Sequence, residues 1–309
     1  MSNVPASRLS ATTVLLLLMP PLMWAGNAVV GRMVNGLVPP ILLNTLRWSL
    51  AIVILLPLAG WVLRPGSGLW SHWKRFALLG MLGVGSYNAL QYLALKTSTP
   101  VNVTLVAAST PVWMLLLGQL LYGVPVSGRA ALGALLSLCG VMAVLSRGDI
   151  HGLLAVRLVP GDALMLLAAI LWAWYSWLLA RPAPGSEPPA IKADWAAFLM
   201  AQMVMGVAWS GLMSAVEWQL LPAGPSHIQW GWPLAAALLF VTLGPSLLAY
   251  RCWGAGVARV GPAVAGFFAN LTPLFAGLMS ATLLGEHPQP YHALGFALIV
   301  GGIVVSSRR

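Results

Sequence analysis

The sequence predicts an all-α membrane protein whose ten transmembrane helices form two inverted five-helix repeats, and three observations lead there. Charged residues make up 7% of the 309-residue chain and hydrophobic ones 59%, with a mean hydropathy of +0.86. Apolar stretches of about 20 residues recur along the whole length, each long enough to cross a ~30 Å hydrocarbon layer. The second half of the chain then repeats Pro and Gly positions of the first.

Composition fixes the solvent. A soluble domain carries roughly 25% charged residues, and a third of that proportion is too little to cover a soluble surface. Helices that are apolar all round belong in a membrane or in the core of a large protein, and a chain of this length has no soluble shell to spare. The net charge of +10 does not indicate a nucleic-acid partner, because the basic residues sit singly at the ends of apolar segments. That is the pattern of charges that orient helices in a lipid bilayer. Cys139 and Cys252 lie in apolar stretches without ligand-like neighbours and read as small core residues, with neither a disulfide nor a metal site.

The expected spans are 12–31, 39–62, 75–95, 101–122, 130–146, 161–180, 195–216, 233–253, 262–284 and 291–306. The first begins like a signal peptide, with Arg8 before Val14-Leu15-Leu16-Leu17-Leu18 and a cleavage-like Trp24-Ala25-Gly26. Its apolar stretch continues to Val30, which favours a retained span. Later spans are punctuated by Arg64-Pro65-Gly66-Ser67-Gly68, Arg147-Gly148-Asp149, Arg181-Pro182-Ala183-Pro184-Gly185 and Pro222-Ala223-Gly224-Pro225. Trp61, Trp70 and Trp73 flank one loop and Trp218, Trp230 and Trp232 another, where amphipathic rings suit the headgroup layer.

With the amino terminus inside, the inner face receives Arg8, Arg64, Lys74, Arg75, Arg129, Arg181, Lys192, Arg259, Arg308 and Arg309, with Arg251 close by. The outer face receives Arg32, Lys96, Arg147 and Arg157. This bias puts both termini in the cytoplasm of a bacterial-type inner membrane.

Sliding the chain by 162 residues lays segment 100–147 over 262–309 without a gap. Pro100 meets Pro262, Thr110-Pro111 meets Thr272-Pro273, and Gly123 meets Gly285. Ala131-Leu132-Gly133 meets Ala293-Leu294-Gly295, and Gly140 meets Gly302. At another offset, Trp24-Ala25 matches Trp172-Ala173. The halves are therefore 1–147 and 161–309, joined by a linker at 148–160. Five spans per half force the second half into the membrane upside down, and inverted repeats are a transporter architecture with a site near the midplane.

The layout resembles the EamA-type families of the drug/metabolite transporter superfamily, YddG-like amino-acid exporters among them. The matching pieces are Trp24-Ala25-Gly26-Asn27, Leu46-Arg47-Trp48 and the two Thr-Pro steps. In the second half they are Gly161-Asp162 before Trp172-Ala173, Ala249-Tyr250 and Leu284-Gly285-Glu286. Where the second repeat has Leu284-Gly285-Glu286, the first reads Tyr122-Gly123-Val124 and lacks the acid. The resemblance implies export of small polar metabolites, with amino acids as the leading class and drugs, nucleosides or sugars as the alternative.

Polar groups inside spans are costly and tend to face a cavity or another helix. The candidate substrate-binding residues are Trp24, Asn27, Arg47, Tyr87, Gln91, Trp172, Tyr175, Tyr250 and Asn270, with Asn44, Asn88, Tyr92, Ser176 and Gln202 nearby in the same spans. Arg47, about eight residues into its span and roughly 12 Å deep, either snorkels to the surface or holds a substrate carboxylate by two prongs. Pro20, Pro111 and Pro273 are candidate hinges: each proline removes a backbone donor and leaves an upstream carbonyl, such as that of Ala107 or Ala269, without its helical partner.

No nucleotide-binding phosphate loop occurs, and no Ser/His/Asp or His-Glu metal motif lies on one face. The sequence therefore indicates neither an enzyme nor a cofactor. An intramembrane enzyme or a sensor is the weaker class. Asp162 and Glu286 sit at span ends with no acid near the midplane, so movement down the substrate's own gradient is expected rather than obligatory proton exchange.

Overall fold

A computed structural model describes residues 9–34, 36–98, 100–146, 148–149, 151, 158–220, 228–284 and 289–307. Helices occur in each of the apolar segments read from the sequence, and no strand is found among the described residues. In chain order they are α1 (Ala11–Met33), α2 (Pro40–Ala59), α3 (Trp73–Leu79), α4 (Tyr87–Ala94), α5 (Pro100–Ala107), α6 (Thr110–Tyr122) and α7 (Gly128–Leu145). There follow α8 (Pro160–Ala180), α9 (Pro189–Ala193), α10 (Trp195–Leu220), α11 (Trp232–Val241), α12 (Ala249–Ala269), α13 (Thr272–Leu284) and α14 (Pro290–Ser307).

Eight runs among the described residues are long and apolar enough to cross a membrane. One of them, 232–269, has 38 residues. At 1.5 Å per residue that is roughly 57 Å, nearly twice a hydrocarbon core. Gly261 divides it, with φ of 80° and ψ of 162°, a backbone conformation open to glycine and strained for other residues.

The surface is inside-out relative to a soluble protein. Leu120, Leu220 and Trp232 are 76%, 79% and 81% exposed, whereas Asn44, Arg47, Gln202, Asp162 and Glu217 are all buried. Apolar side chains on the rim and paired polar groups within are what a lipid solvent selects. The chain is a multi-pass membrane protein.

Helix ends are closed by short-range chemistry. Ser127 accepts from Ala130 N at 3.1 Å to cap α7. The carboxylate of Asp162 accepts from Val159 N at 2.9 Å, from Asn102 Nδ2 at 3.2 Å and from the Ser98 hydroxyl. Glu217, near the end of α10, accepts from Ile41 N at 3.0 Å and Leu42 N at 3.0 Å, so it neutralises the positive end of α2 across the bundle.

Two features were not expected. The α3–α4 connection is a π turn, Gly80–Ser86, and the α11–α12 connection is another, Thr242–Leu248. They lie at the same 162-residue offset as the Pro and Gly matches. The hinges also differ in kind from the expected kinks. Pro111 and Pro273 stand second in α6 and α13, so each opens a new helix after a break rather than bending a continuous one, because a proline in the first turn costs no hydrogen bond. The carbonyl expected to be free at Ala107 accepts from Thr110 Oγ1 at 2.6 Å. In α1, by contrast, Pro20 and Pro21 lie within an unbroken helix.

The densest helix pairing joins α7 to α14. A Cβ on Gly133 would lie 2.7 Å from the Gly302 carbonyl oxygen, and one on Gly140 would lie 2.8 Å from that of Gly295. Such close approach of backbones is typical of small-residue packing in membranes. In the centre, α1 packs on α12 and α13, α8 packs on α4 and α6, and α2 packs on α10.

Candidate functional site

The centre of the bundle is an aromatic cluster built around Trp172 of α8. Its ring lies 5.2 Å from Trp24, 5.3 Å from Tyr87, 5.1 Å from Tyr175, and 5.6 Å from both Tyr250 and Trp253, centroid to centroid. Trp48 extends the cluster from α2, edge-on to Tyr250 at 4.9 Å. Each such pair contributes about 0.5–1.5 kcal/mol beyond area burial. Trp172 is 4% exposed, whereas Trp24 and Tyr87 are partly open.

Most polar tips of these rings are held. Tyr175 donates to Gln202 Oε1 at 2.9 Å, Trp253 Nε1 to Ser176 Oγ at 3.2 Å, and Trp48 Nε1 to Asn44 Oδ1 at 3.1 Å. Trp24 Nε1 donates to the Pro245 carbonyl at 3.3 Å, and the Tyr250 hydroxyl to the Gly83 carbonyl. Among the described residues, the indole N–H of Trp172, the hydroxyl of Tyr87 and the amides of Asn88 and Gln91 have no partner. The cluster therefore carries unused donors among largely apolar rings.

Arg47 lies beside it on α2 and is 2% exposed, so the snorkelling geometry does not occur. Its Nη1 donates to Asn27 Oδ1 at 3.3 Å, and its Cζ lies 4.9 Å from the Trp48 ring centroid. Its Nε is buried without a hydrogen-bond partner, and no carboxylate pairs with it among the described residues. A desolvated, uncompensated guanidinium costs several kcal/mol. Ionisable residues inside spans are rare and face a partner or a water-filled cavity.

The other sequence candidates divide. Asn27 joins Arg47. Gln91 lies on α4 outside the ring contacts. Asn270 is 2% exposed and donates to the Ala108 carbonyl at 3.2 Å and to Ser137 Oγ at 2.9 Å. Both amide hydrogens are thus used to tie helices together. Trp253 was missed, although it follows Tyr250 by three residues on the same helical face. Glu217 was also missed, because the expected span ended at 216. Glu286 lies outside the described residues.

The C-terminal ends of α6 and α8 are tied together. Tyr122 stacks on Trp177 at 4.8 Å, Trp177 Nε1 donates to the Met114 carbonyl at 2.7 Å, and Arg181 Nη1 donates to the Tyr122 carbonyl at 3.2 Å. On the same side, Arg75 Nη2 lies 2.7 Å from Glu187 Oε1 and donates to the Leu178 carbonyl at 2.6 Å. Among the described residues, no three His, Cys, Asp or Glu side chains gather as a metal-ligand set would require.

The sequence profile of the EamA-like transporter family matches residues 11–146 and 159–308. The chain belongs to the EamA-like transporter family. An uncharacterised transporter of Archaeoglobus fulgidus is 25% identical over 301 residues, covering 97% of this chain and 99% of the relative. The aromatic amino acid exporter YddG of Ancylobacter novellus is 27% identical, covering 88% and 89%. A probable terminal-alkyne amino-acid exporter of Streptantibioticus cattleyicolor is 25% identical, covering 75% and 72%. A crystal structure of 21% sequence identity matches with a TM-score of 0.73, over 97% of this chain and 96% of its own, which establishes the shared fold. In this EamA-family chain the aromatic cluster and Arg47 therefore sit inside a membrane transporter.

Proposed function

We propose that this EamA-family protein exports small amphoteric metabolites, amino acids foremost, across a bacterial-type inner membrane by alternating access of two inverted halves. Arg47 carries the substrate class: it is a buried cation whose Nε lacks a partner, and a substrate carboxylate supplies both the missing charge and the missing acceptor. Asn27 steadies the guanidinium, while Trp24, Tyr87, Trp172, Tyr175 and Tyr250 shape the space for the rest of the substrate. Gln91 offers a further polar contact at the margin, and Asn270 serves the frame.

Three observations support ten crossings in two inverted halves, 1–147 and 161–309. The family profile matches twice. The π turns recur at the 162-residue offset. The α7–α14 contact is reciprocal: Gly133 faces Gly302 while Gly140 faces Gly295, and at that offset these are each other's counterparts. Reciprocity of that sort is the mark of a two-fold axis, here relating one half to the other. Counting 232–269 as two crossings divided at Gly261, and the α3–α4 run as another, brings the eight long runs to ten.

Purified protein in liposomes should move radiolabelled amino acids in a panel that also holds nucleosides, sugars and cationic drugs. Flux of the uncharged or cationic compounds without flux of any amino acid would replace this reading with the alternative carrier class.

A further inference from the structure

The two π turns carry matching acceptors with different donors. A π turn breaks the regular i→i+4 ladder and so exposes backbone groups to side chains. In each turn the carbonyl of the fourth residue, Gly83 or Pro245, accepts a side-chain donor from the opposite half of the chain. Gly83 takes the Tyr250 hydroxyl and Pro245 takes Trp24 Nε1. The acceptors are counterparts at the 162-residue offset. The donors are not: the counterpart of Trp24 is Trp172, and the counterpart of Tyr250 is Asn88.

Both of those counterparts are idle. The Trp172 indole N–H and the Asn88 amide make no hydrogen bond among the described residues, and their polar atoms are not sealed off, since Arg47 Nε alone among those residues is buried without a partner. Trp172 is also close to the acceptor it does not use. Its ring lies 5.1 Å from that of Tyr175, whose Cε2 is 2.7 Å from where a Cβ on Gly83 would sit, and 5.6 Å from that of Tyr250, the donor now holding Gly83.

We propose that Trp24 and Trp172 are alternating donors to the two π-turn carbonyls and so position the halves in the two access states. This rests on the inverted-halves reading above. In the state described, Trp24 holds Pro245 and Tyr250 holds Gly83. In the opposite state Trp172 holds Gly83 and the Asn88 amide holds Pro245, while Trp24 and Tyr250 are released. Each state thus makes two hydrogen bonds. No carbonyl is left bare in a medium where water cannot replace the partner.

Spin labels on Cys substituted at Leu121 and Ala183, in a Cys139→Ala/Cys252→Ala background, report the separation of the ends of α6 and α8. Both sites are exposed, and the ends are together in this state. Each lost neutral bond should change the ratio of near to far populations about fivefold. Trp24→Phe and Tyr250→Phe should lower that ratio, Trp172→Phe should raise it, and Trp24→Phe/Trp172→Phe should restore it. Where the wild type is wholly near, the double variant compared with Trp24→Phe reads the Trp172 arm. A ring lost from a merely structural cluster would not give opposite signs. Two populations that all variants shift the same way, or leave unmoved, overturn the exchange alone. A single separation in the wild type and in every variant alike, with and without amino acid, removes the alternating halves and the exchange with them.

Discussion

Replacing Arg47 by Met keeps an unbranched side chain of similar length while deleting the charge, the Asn27 contact and the stacking on Trp48. Two opposing effects follow. A carboxylate held by the free Nε and a neighbouring Nη loses two charge-assisted hydrogen bonds, each about 1.5–3 kcal/mol when made to a charged group. Taking ~3 kcal/mol for the pair, affinity falls roughly a hundredfold. The fold, however, loses an uncompensated buried cation, and replacing buried ions by apolar residues of similar volume is often stabilising by ~1–4 kcal/mol. The 3.3 Å bond to Asn27 and a cation–π contact of ~0.5–2 kcal/mol offset part of that gain. A net ~1 kcal/mol raises the unfolding midpoint by about 1–2 °C for a chain of this length. The assay is equilibrium binding of one amino acid and of its decarboxylated amine, beside a thermal melt in the same detergent. Arg47→Met should erase the preference for the acid while leaving amine binding within about twofold. Unchanged affinity for the amino acid would remove the carboxylate contact, and a lowered midpoint would make the guanidinium a structural brace.

Other expectations are more local. Glu217→Gln keeps the hydrogen bonds to Ile41 and Leu42 but removes the charge at the start of α2, so it should cost about 0.5–1 kcal/mol, and Glu217→Ala about 1–2 kcal/mol, in thermal unfolding. Pro111→Ala and Pro273→Ala let the paired helices run on through their breaks, so initial flux should fall more than the dissociation constant rises, because transport needs two states and binding one. With acidic side chains confined to helix ends among the described residues, an imposed pH difference alone should not drive accumulation in liposomes; uphill uptake under that condition would contradict gradient-driven movement. Single cysteines at Ser2 and Asp149 should differ in labelling by an impermeant reagent on intact cells, and equal external labelling of both would overturn the orientation.

Helix placement was legible because hydropathy and Pro/Gly punctuation act over about twenty residues, a length over which single exceptions average out. The break before Thr110 was announced only as a position, since a proline does not say whether a helix bends or restarts, and the division at Gly261 was not foreseen. The π turns left no local signal: Gly80–Ser86 holds three glycines and Thr242–Leu248 one glycine and a proline, and only the 162-residue offset links them. At the site, Trp24, Tyr87, Trp172, Tyr175 and Tyr250 were named from polar tips inside spans, and the structure gathers them. Asn270 satisfied the same criterion yet bonds to Ala108 and Ser137, because sequence registers that a polar group is buried but not which neighbour takes it. Arg47 was ambiguous between lipid surface and interior until its exposure was known.

The glycine contacts between α7 and α14 also impose an order in time. Gly133 and Gly140 have their partners, Gly302 and Gly295, roughly 160 residues further on. At a synthesis rate of about 5–20 residues per second that gap lasts roughly 10–30 s. During that interval α7 stands in the membrane with its narrow face uncovered, open to lipid or to the α7 of another nascent chain. Bulkier residues at these glycines would do more than loosen the finished bundle. They would deny the last helix its berth and prolong the period in which a half-made protein can pair wrongly, so their damage should register as reduced yield of the assembled carrier before it registers as slower transport.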